Sequence, residues 1–420
     1  MESIVAYLRQ NLPKTIVHPG DLDENHLPLP HPFTTPCFRG ELREFYYWDL
    51  FYSHLGFSHL GFQHQARHDL ENLCALVERY GFIPNGNRTF YLSRSQPPHF
   101  GLMVTHYLAQ EPADLPFIKR LFSALKTELC FWETMRRSPG GLFHYYAQAN
   151  PTELLGCADH SRAWRQPLSR SDQLYFGLQF IAECESGWDF CTTYEHDCPS
   201  WASIELNSLL VLSYAAAAQC ANHLGFAGEH HHFTKKKNTL ADRCRRELWD
   251  EQRSIFNHRH LAEDRFSSVV HAGCFYPLFA GIATEDQARR SIPVLLEKLE
   301  RPHGLVAANQ SNFSCGQQWD TPNGWSPLTY AAYSGLLRYG HHESARRLAL
   351  KHNDLIEKVF SETGHLWEKY NVVEGTIEVA NEYPMPPMLG WTAGVYMVFK
   401  QALASPLSNQ SSPLLHHTHA

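Results

Sequence analysis

The fold class this 420-residue sequence predicts is an all-α (α/α) barrel of inner and outer helices with long loops. Three observations point there. Helix-period stretches follow one another along the chain, buried ones and amphipathic ones in turn. Strand alternation is nearly absent. Long loops rich in aromatic residues separate the helix pairs. A ring of this kind buries its inner helices and leaves a concave end where loops converge. A helical solenoid is the structural alternative, but no repeat recurs at a fixed period.

Residues 1–405 read as a single domain. Its start, MESIVAYLRQNLPKT, is short and amphipathic, and residues 15–40 are rich in Pro and His. Residues 1–40 are therefore expected to be an extended segment wrapping the folded body. Residues 66–80 place Leu70, Leu73 and Val77 on one helical face and stop at Gly81. Residues 114–132 open with an Asp N-cap before Pro116 and carry Phe117, Leu121 and Leu125 inward. Residues 173–184 form the next helix. Residues 204–224 are apolar nearly all round and should be buried on every side. Residues 239–249 set Leu240, Cys244 and Leu248 against an Arg-rich face, as an outer helix would. Stretches 285–299, 327–339, 343–360 and 391–403 continue the series, residues 88–92 read as a short strand piece, and 406–420 as a flexible tail.

Composition excludes several classes. With 43% apolar and 19% charged residues the chain should fold, and a formal charge of -7 gives no footprint for nucleic acid. No run approaches 18 apolar residues, so no membrane span is expected. The N-terminus has no apolar signal core, and the eleven Cys show no CxxC pair, so the expectation is a soluble cytoplasmic protein with reduced thiols. His230, His231 and His232 invite a metal, but consecutive side chains diverge and Lys235–Lys237 would repel a cation. They read as a solvated turn, and no metal is expected.

The chemistry gathers in a few stretches. ECESGWDF (183–190) puts Glu183, Glu185 and Asp189 within seven residues, beside Trp188 and Phe190, while Gly187 permits a close backbone approach. Most carboxylates are surface or capping residues, which is the plain alternative here. A carboxyl held among rings, however, keeps its proton to higher pH, which makes Asp189 a natural general acid. Four further stretches are denser in aromatic, carboxylate and amide groups than a fold requires. Residues 39–57 carry Tyr46, Tyr47, Trp48 and Asp49; residues 81–98 carry Asn85, Asn87, Arg94 and Gln96. Residues 316–327 carry Trp319, Asp320, Asn323 and Trp325; residues 366–391 carry Glu368 and Glu382–Tyr383. Flat rings suit the C–H faces of sugars, and planar amide and guanidinium groups suit neighbouring hydroxyls. Asp320 reads equally as a turn carboxylate, and Glu185 as a group supporting Asp189. Glycoside hydrolysis by two carboxyl groups fits this set: an acid protonates the departing oxygen while a base across the sugar deprotonates water. Asp189 and Glu368 lie on distant stretches, and inversion requires their carboxyls to stand roughly 6.5–9.5 Å apart.

These stretches resemble the trehalase family of inverting glycoside hydrolases. EFYYWD (44–49) is similar to the family's first signature and QWDTPNGWSP (318–327) to its second. IPNGNR, YLSRSQPP, ESGWDF and EKYN match further motifs in the same order, and the resemblance covers roughly residues 14–400. It implies an (α/α)6 barrel without a cofactor, Asp189 as general acid and Glu368 as general base. It also implies that Tyr46, Trp48, Asp49, Asn85, Arg94, Gln96, Trp319 and Glu382 line the sugar subsites, with Gly187 counted beside them. Three departures bear on substrate. The family's arginine before the first signature is Arg39 after an insertion or is replaced by Glu41. Its Arg-Pro-Glu-Ser stretch is replaced by NPTEL, where Glu153 keeps the acid but no arginine remains. Its glycine-rich lid becomes EGTIEVANEY, which should be stiffer. The expected function is inverting hydrolysis of an α-glucoside, with α,α-trehalose the leading substrate and another small α-glucoside the runner-up. A non-catalytic sugar-binding or sensory protein is the alternative from another class, and it would have no reason to keep the Asp189–Glu368 pair.

Overall fold

The computed structural model describes residues 3–40, 42–158, 169–310, 317–379, 381 and 383–404. Glu41, Glu382 and the tail 406–420 lie outside the described residues, so the expectations placed on them stay untouched by the structure.

Fourteen α-helices occur among the described residues. First come α1 (Ile4–Asn11), α2 (Asp49–Leu60), α3 (Gln63–Tyr80), α4 (Phe100–Gln110) and α5 (Leu115–Met135). Next, α6 (Pro151–Ala158) packs along α7 (Arg170–Ser186). The remainder are α8 (Ile204–His223), α9 (Ala227–Glu247), α10 (Tyr276–Phe279), α11 (Glu285–Leu299), α12 (Ser326–Arg338), α13 (His342–Thr363) and α14 (Trp391–Ala404). Helices α2, α4, α8, α10, α12 and α14 each pack on the next, and α14 packs back on α2. That closed succession is the inner ring of an (α/α)6 barrel. Helices α3, α5, α9, α11 and α13 flank it, and α1 sets Tyr7 edge-on to Phe360 of α13, ring centroids 5.2 Å apart.

The inner helices are inner because they carry no polar face. In α8 the side chains of Leu206, Leu210, Ala216, Ala217 and Cys220 are fully buried, and Ser203 caps the helix by accepting from the Leu206 amide. By length and composition α8 is apolar enough to span a membrane, but 83% of its apolar window is buried inside the ring, as in a core helix. The ring closes where backbones touch. A Cβ on Gly394 of α14 would fall 1.8 Å from the Tyr52 carbonyl oxygen of α2, and one on Gly56 would fall 3.0 Å from Gly394 Cα. Only glycine on both sides lets these two helices meet so closely.

Most helical expectations match the observed helices within a few residues, and three readings change. Half of the loop-like stretch 39–57 is helix α2, beginning at Asp49. The helix expected over 239–249 extends from Ala227 to Glu247, so His230–His232 lie in α9 and not in a turn. Its buried residues, Phe233, Leu240, Ala241 and Cys244, keep a helical spacing of seven, one and three, which a short window misses. Residues 88–92 are not a strand: Thr89–Ser93 is a 3-10 turn. The N-terminal segment starts as helix α1 and then pairs Ile16–Val17 with Phe33–Thr34. Buried Asp69 of α3 fastens it, accepting from the Thr34 amide and hydroxyl at 3.0 and 2.7 Å.

Candidate active site

A cavity of about 380 Å³ takes a wall from each of the chemistry-bearing stretches. Asp189 and Glu368, the two carboxylates singled out in the sequence, both line it. So do Tyr46, Trp48, Asp49, Asn85, Arg94, Gln96, Gly187 and Trp319. A larger groove, about 540 Å³, lies between α1, α13 and α14. Its one carboxylate, Glu357, already accepts from Tyr396 Oη at 2.7 Å, so the paired acids mark the smaller cavity as the site.

Local structure explains why these side chains converge. Helix α7 starts at a Ser169–Asp172 capping box and ends at Gly187, whose φ of 72° turns the chain sharply. A Cβ there would stand 3.0 Å from the Trp48 ring, so glycine lets the Asp189 turn lie against that indole. Glu185 stays behind this turn. It is fully buried and takes Arg136 Nε and Nη2 at 2.7 and 2.8 Å, with the Ser95 and Tyr146 amides each at 2.9 Å. Glu185 therefore anchors the 93–96 loop, which carries Arg94 and Gln96. Gln96 Oε1 accepts from the Trp48 amide at 3.2 Å, and Arg94 lies over the Tyr91 ring at 5.0 Å.

The other side is built on a two-stranded ribbon. Asn323–Trp325 pairs antiparallel with Lys369–Asn371, Lys369 opposite Trp325. This joins the last two motif stretches and delivers Glu368 to the cavity. Trp319 and Trp325 stack at 3.7 Å with planes 4° apart, and Trp188 extends the stack at 5.3 Å. Asp320 is not in the cavity lining. It accepts from the Thr192 amide and hydroxyl at 3.1 and 2.9 Å, tying the segment after Asp189 to the ribbon. Burial pushes its carboxyl up to about 6.

Glu368 is buried and held at both oxygens: Tyr383 donates to Oε1 and Lys369 to Oε2, each at 2.5 Å. Gln318 Nε2 donates to Asp189 Oδ2 at 3.1 Å, and Asp189 is half-buried. Burial, and then the nearby charge of Glu368, holds the Asp49 carboxyl well above the usual carboxylate range. Glu183, just behind Asp189, is pushed up to about 8 by burial, with the Phe190 amide opposing and the Asp189 charge adding. Asp49, Asp189 and Glu368 thus bring three carboxyl side chains to one hollow.

Two residues expected at the site lie elsewhere. Arg39 is exposed, bonded to His365 Nε2 at 2.7 Å, and does not line the cavity. Glu153 is exposed and accepts from the Asn150 amide at 2.7 Å, capping α6. Tyr383 does line the cavity, and Phe180, Cys184, Gln318 and Trp391 do so without having been singled out. Phe180, Cys184 and Gly187 share a helical face leading to Asp189, a spacing of four and three that could have found them. Among the described residues no cluster of His, Cys, Asp and Glu could hold a metal.

Comparison with known proteins fits this geometry. A family model described as trehalase matches residues 2–403. A periplasmic trehalase of Pseudomonas aeruginosa is 31% identical over 398 residues, covering 88% of this chain and 70% of that protein. A periplasmic trehalase of Xanthomonas campestris is 31% identical over 413 residues, covering 90% and 69%. Among solved structures, the neutral trehalase Nth1 of Saccharomyces cerevisiae is 26% identical with a TM-score of 0.72, covering 90% of this chain and 76% of that one. A mannosylglycerate hydrolase of Thermus thermophilus, at 16% identity and a TM-score of 0.61, shares the fold. These relatives correct one expectation. The cytoplasmic location read from the sequence is overturned, because the curated relatives are periplasmic trehalases.

Proposed function

The chain belongs to the trehalase family of glycoside hydrolases, and from that premise we propose that it hydrolyses α,α-trehalose to two glucose molecules with inversion. The observation that carries this reading is the placing of Asp189 and Glu368, from stretches far apart in the chain, on one ring-lined cavity. Asp189 protonates the glycosidic oxygen as its bond to the anomeric carbon breaks. Glu368 takes a proton from the water whose oxygen forms the new bond on the opposite face. Lys369 pairs with Glu368 Oε2 at 2.5 Å and Tyr383 donates to Oε1, which fixes the carboxylate in the cavity wall. Tyr46, Trp48, Asp49, Asn85, Arg94, Gln96 and Trp319 hold the sugar by ring faces and planar polar groups. Burial and the Glu368 charge push Asp49 towards its protonated form, which can donate to a sugar oxygen as well as accept.

One observation favours a second substrate, another small α-glucoside: Arg39 and Glu153 both turn away from the cavity. The test is glucose release from trehalose followed by NMR of the first-formed anomers. The expected result is one α- and one β-glucose per trehalose, with Asp189→Asn and Glu368→Gln each lowering kcat by at least about a hundredfold. Two α-glucoses, or an Asp189→Asn enzyme at the parent rate, would refute the assignment.

A further inference from the structure

The two carboxylates are the ends of one hydrogen-bonded string. Glu368 Oε2 accepts from Lys369 Nζ at 2.5 Å, the same Nζ stands 3.3 Å from Gln318 Oε1, and Gln318 Nε2 donates to Asp189 Oδ2 at 3.1 Å. We propose that Lys369, acting through Gln318, is a positioning residue that decides which oxygen of Asp189 carries the transferable proton. The inference rests on the roles given above to Asp189 and Glu368.

An amide side chain can present either its oxygen or its NH2 group in a given direction, and the surroundings choose. An ammonium has donors only, so Lys369 requires the Gln318 oxygen to face it. The NH2 group is then turned to Asp189, where it occupies Oδ2 as an acceptor. The proton is left to Oδ1. With the amide reversed, two donors would oppose each other at Lys369, and an acceptor would face Asp189 and draw the proton onto Oδ2. Neither end of the string is loose. Gln318 and Lys369 are buried, at 1% and 0% exposure. The Gln318 backbone carbonyl accepts from Asn323 Nδ2 at 2.8 Å and Trp325 Nε1 at 3.2 Å. Lys369 is pinned by its ribbon pairing with Trp325 and lies 4.8 Å over that indole.

The experiment compares two substrates. Trehalose has a poor leaving group that needs a proton; α-glucosyl fluoride has one that needs far less, so it reports on the base and on binding. Gln318→Glu keeps the shape and still accepts from Lys369, but it cannot donate to Asp189. Its kcat/KM on trehalose should fall by about a hundredfold and on the fluoride by less than about tenfold. The alkaline limb of the trehalose profile should move to higher pH, because Asp189 loses a donor and gains a negative neighbour. Lys369→Met should lower both substrates, trehalose by roughly a further tenfold because the amide is freed to turn. Gln318→Met, neutral and of similar length, gives the same readout if Gln318→Glu does not fold. Equal losses on both substrates with an unmoved alkaline limb would overturn the proposal. Asp189→Asn separates that failure from failure of the underlying roles: if it loses trehalose turnover while the Gln318 variants leave the substrate ratio unchanged, only the string is wrong. If Asp189→Asn keeps the parent rate on trehalose, the acid assignment itself falls.

Discussion

Arg136 and Glu185 meet as a two-toothed ion pair with almost no solvent contact, 1% and 0% exposed at the side chain. Helix α5 ends just before Arg136 and Glu185 lies in the last turn of α7, so the pair fixes the two helix ends relative to each other. Glu185 also satisfies the Ser95 and Tyr146 amides. Its four acceptor positions are filled, which is the condition under which a buried charge is tolerated.

Arg136→Met would therefore leave a buried carboxylate with two neutral amide partners and no counter-charge. The expected loss is about 3–5 kcal/mol of stability. Because Ser95 sits between Arg94 and Gln96 in the cavity wall, the surviving folded enzyme should also show a raised KM for trehalose. Calorimetry and steady-state kinetics on one preparation check both. Arg136→Lys should recover only part of the loss, since a single ammonium cannot span both oxygens. A melting temperature for Arg136→Met equal to that of the parent would show that Glu185 is held by other groups.

The fold was readable where helices have two faces. Residues 114–132 gave their start through an Asp N-cap and their inner face through an apolar stripe, and residues 66–80 gave their end through the stop at Gly81. The inner helices were harder. FGLMVTHYLAQ of α4 and DLFYSHLGFSHL of α2 have no solvent face, so the contrast that marks a helical period vanishes, and α2 read as an aromatic loop. The candidate site was legible as stretches denser in aromatic, carboxylate and amide groups than a core requires, and these share the cavity that Asp189 and Glu368 line. What the residues could not give was direction. Arg39 and Glu153 stand near the right motifs, but one turns to His365 and the other to its own helix start. Arg136 lies far from Glu185 in the chain, and Lys369 beside Glu368 acts by reaching across to Gln318. Such pairings exist only after folding.

The α2–α14 seam gives a prediction about the ring itself. Gly394→Ala places a methyl group 1.8 Å from the Tyr52 carbonyl oxygen, a backbone atom that cannot rotate away. The two helices would have to separate, and overpacking of this kind costs about 1–3 kcal/mol or more. Gly228, exposed near the start of α9, has nothing within 4 Å of its missing Cβ. There Gly→Ala should stabilise by about 0.4–1 kcal/mol through helix propensity and a less flexible unfolded chain. Urea denaturation of the two variants should move in opposite directions. A Gly394→Ala protein as stable as the parent would mean that the inner ring is slack at its closing seam.

Glu183 links stability to pH. Its carboxyl is buried, with Gln179 Nε2 at 2.5 Å from Oε1 and the Phe190 amide at 3.4 Å from Oε2, and it holds its proton to about 8 against an ordinary 4.5. The unfolded chain ionises this group near 4.5 while the folded chain does not. Between those values the unfolded state therefore binds fewer protons, and stability falls as pH rises. The contribution is complete at pH 4 and lost by the time pH passes about 8. Glu183→Gln has the shape of the protonated acid and cannot ionise, so the penalty disappears. The variant should match the parent at pH 4 and exceed it at pH 8 by an amount on the order of a few kcal/mol. Subtracting the two melting curves at each pH cancels every other titrating group. A difference that is flat from pH 4 to 8 would show that Glu183 is ionised in the folded protein, and the buried carboxylate beside Asp189 would then need a cation to balance it.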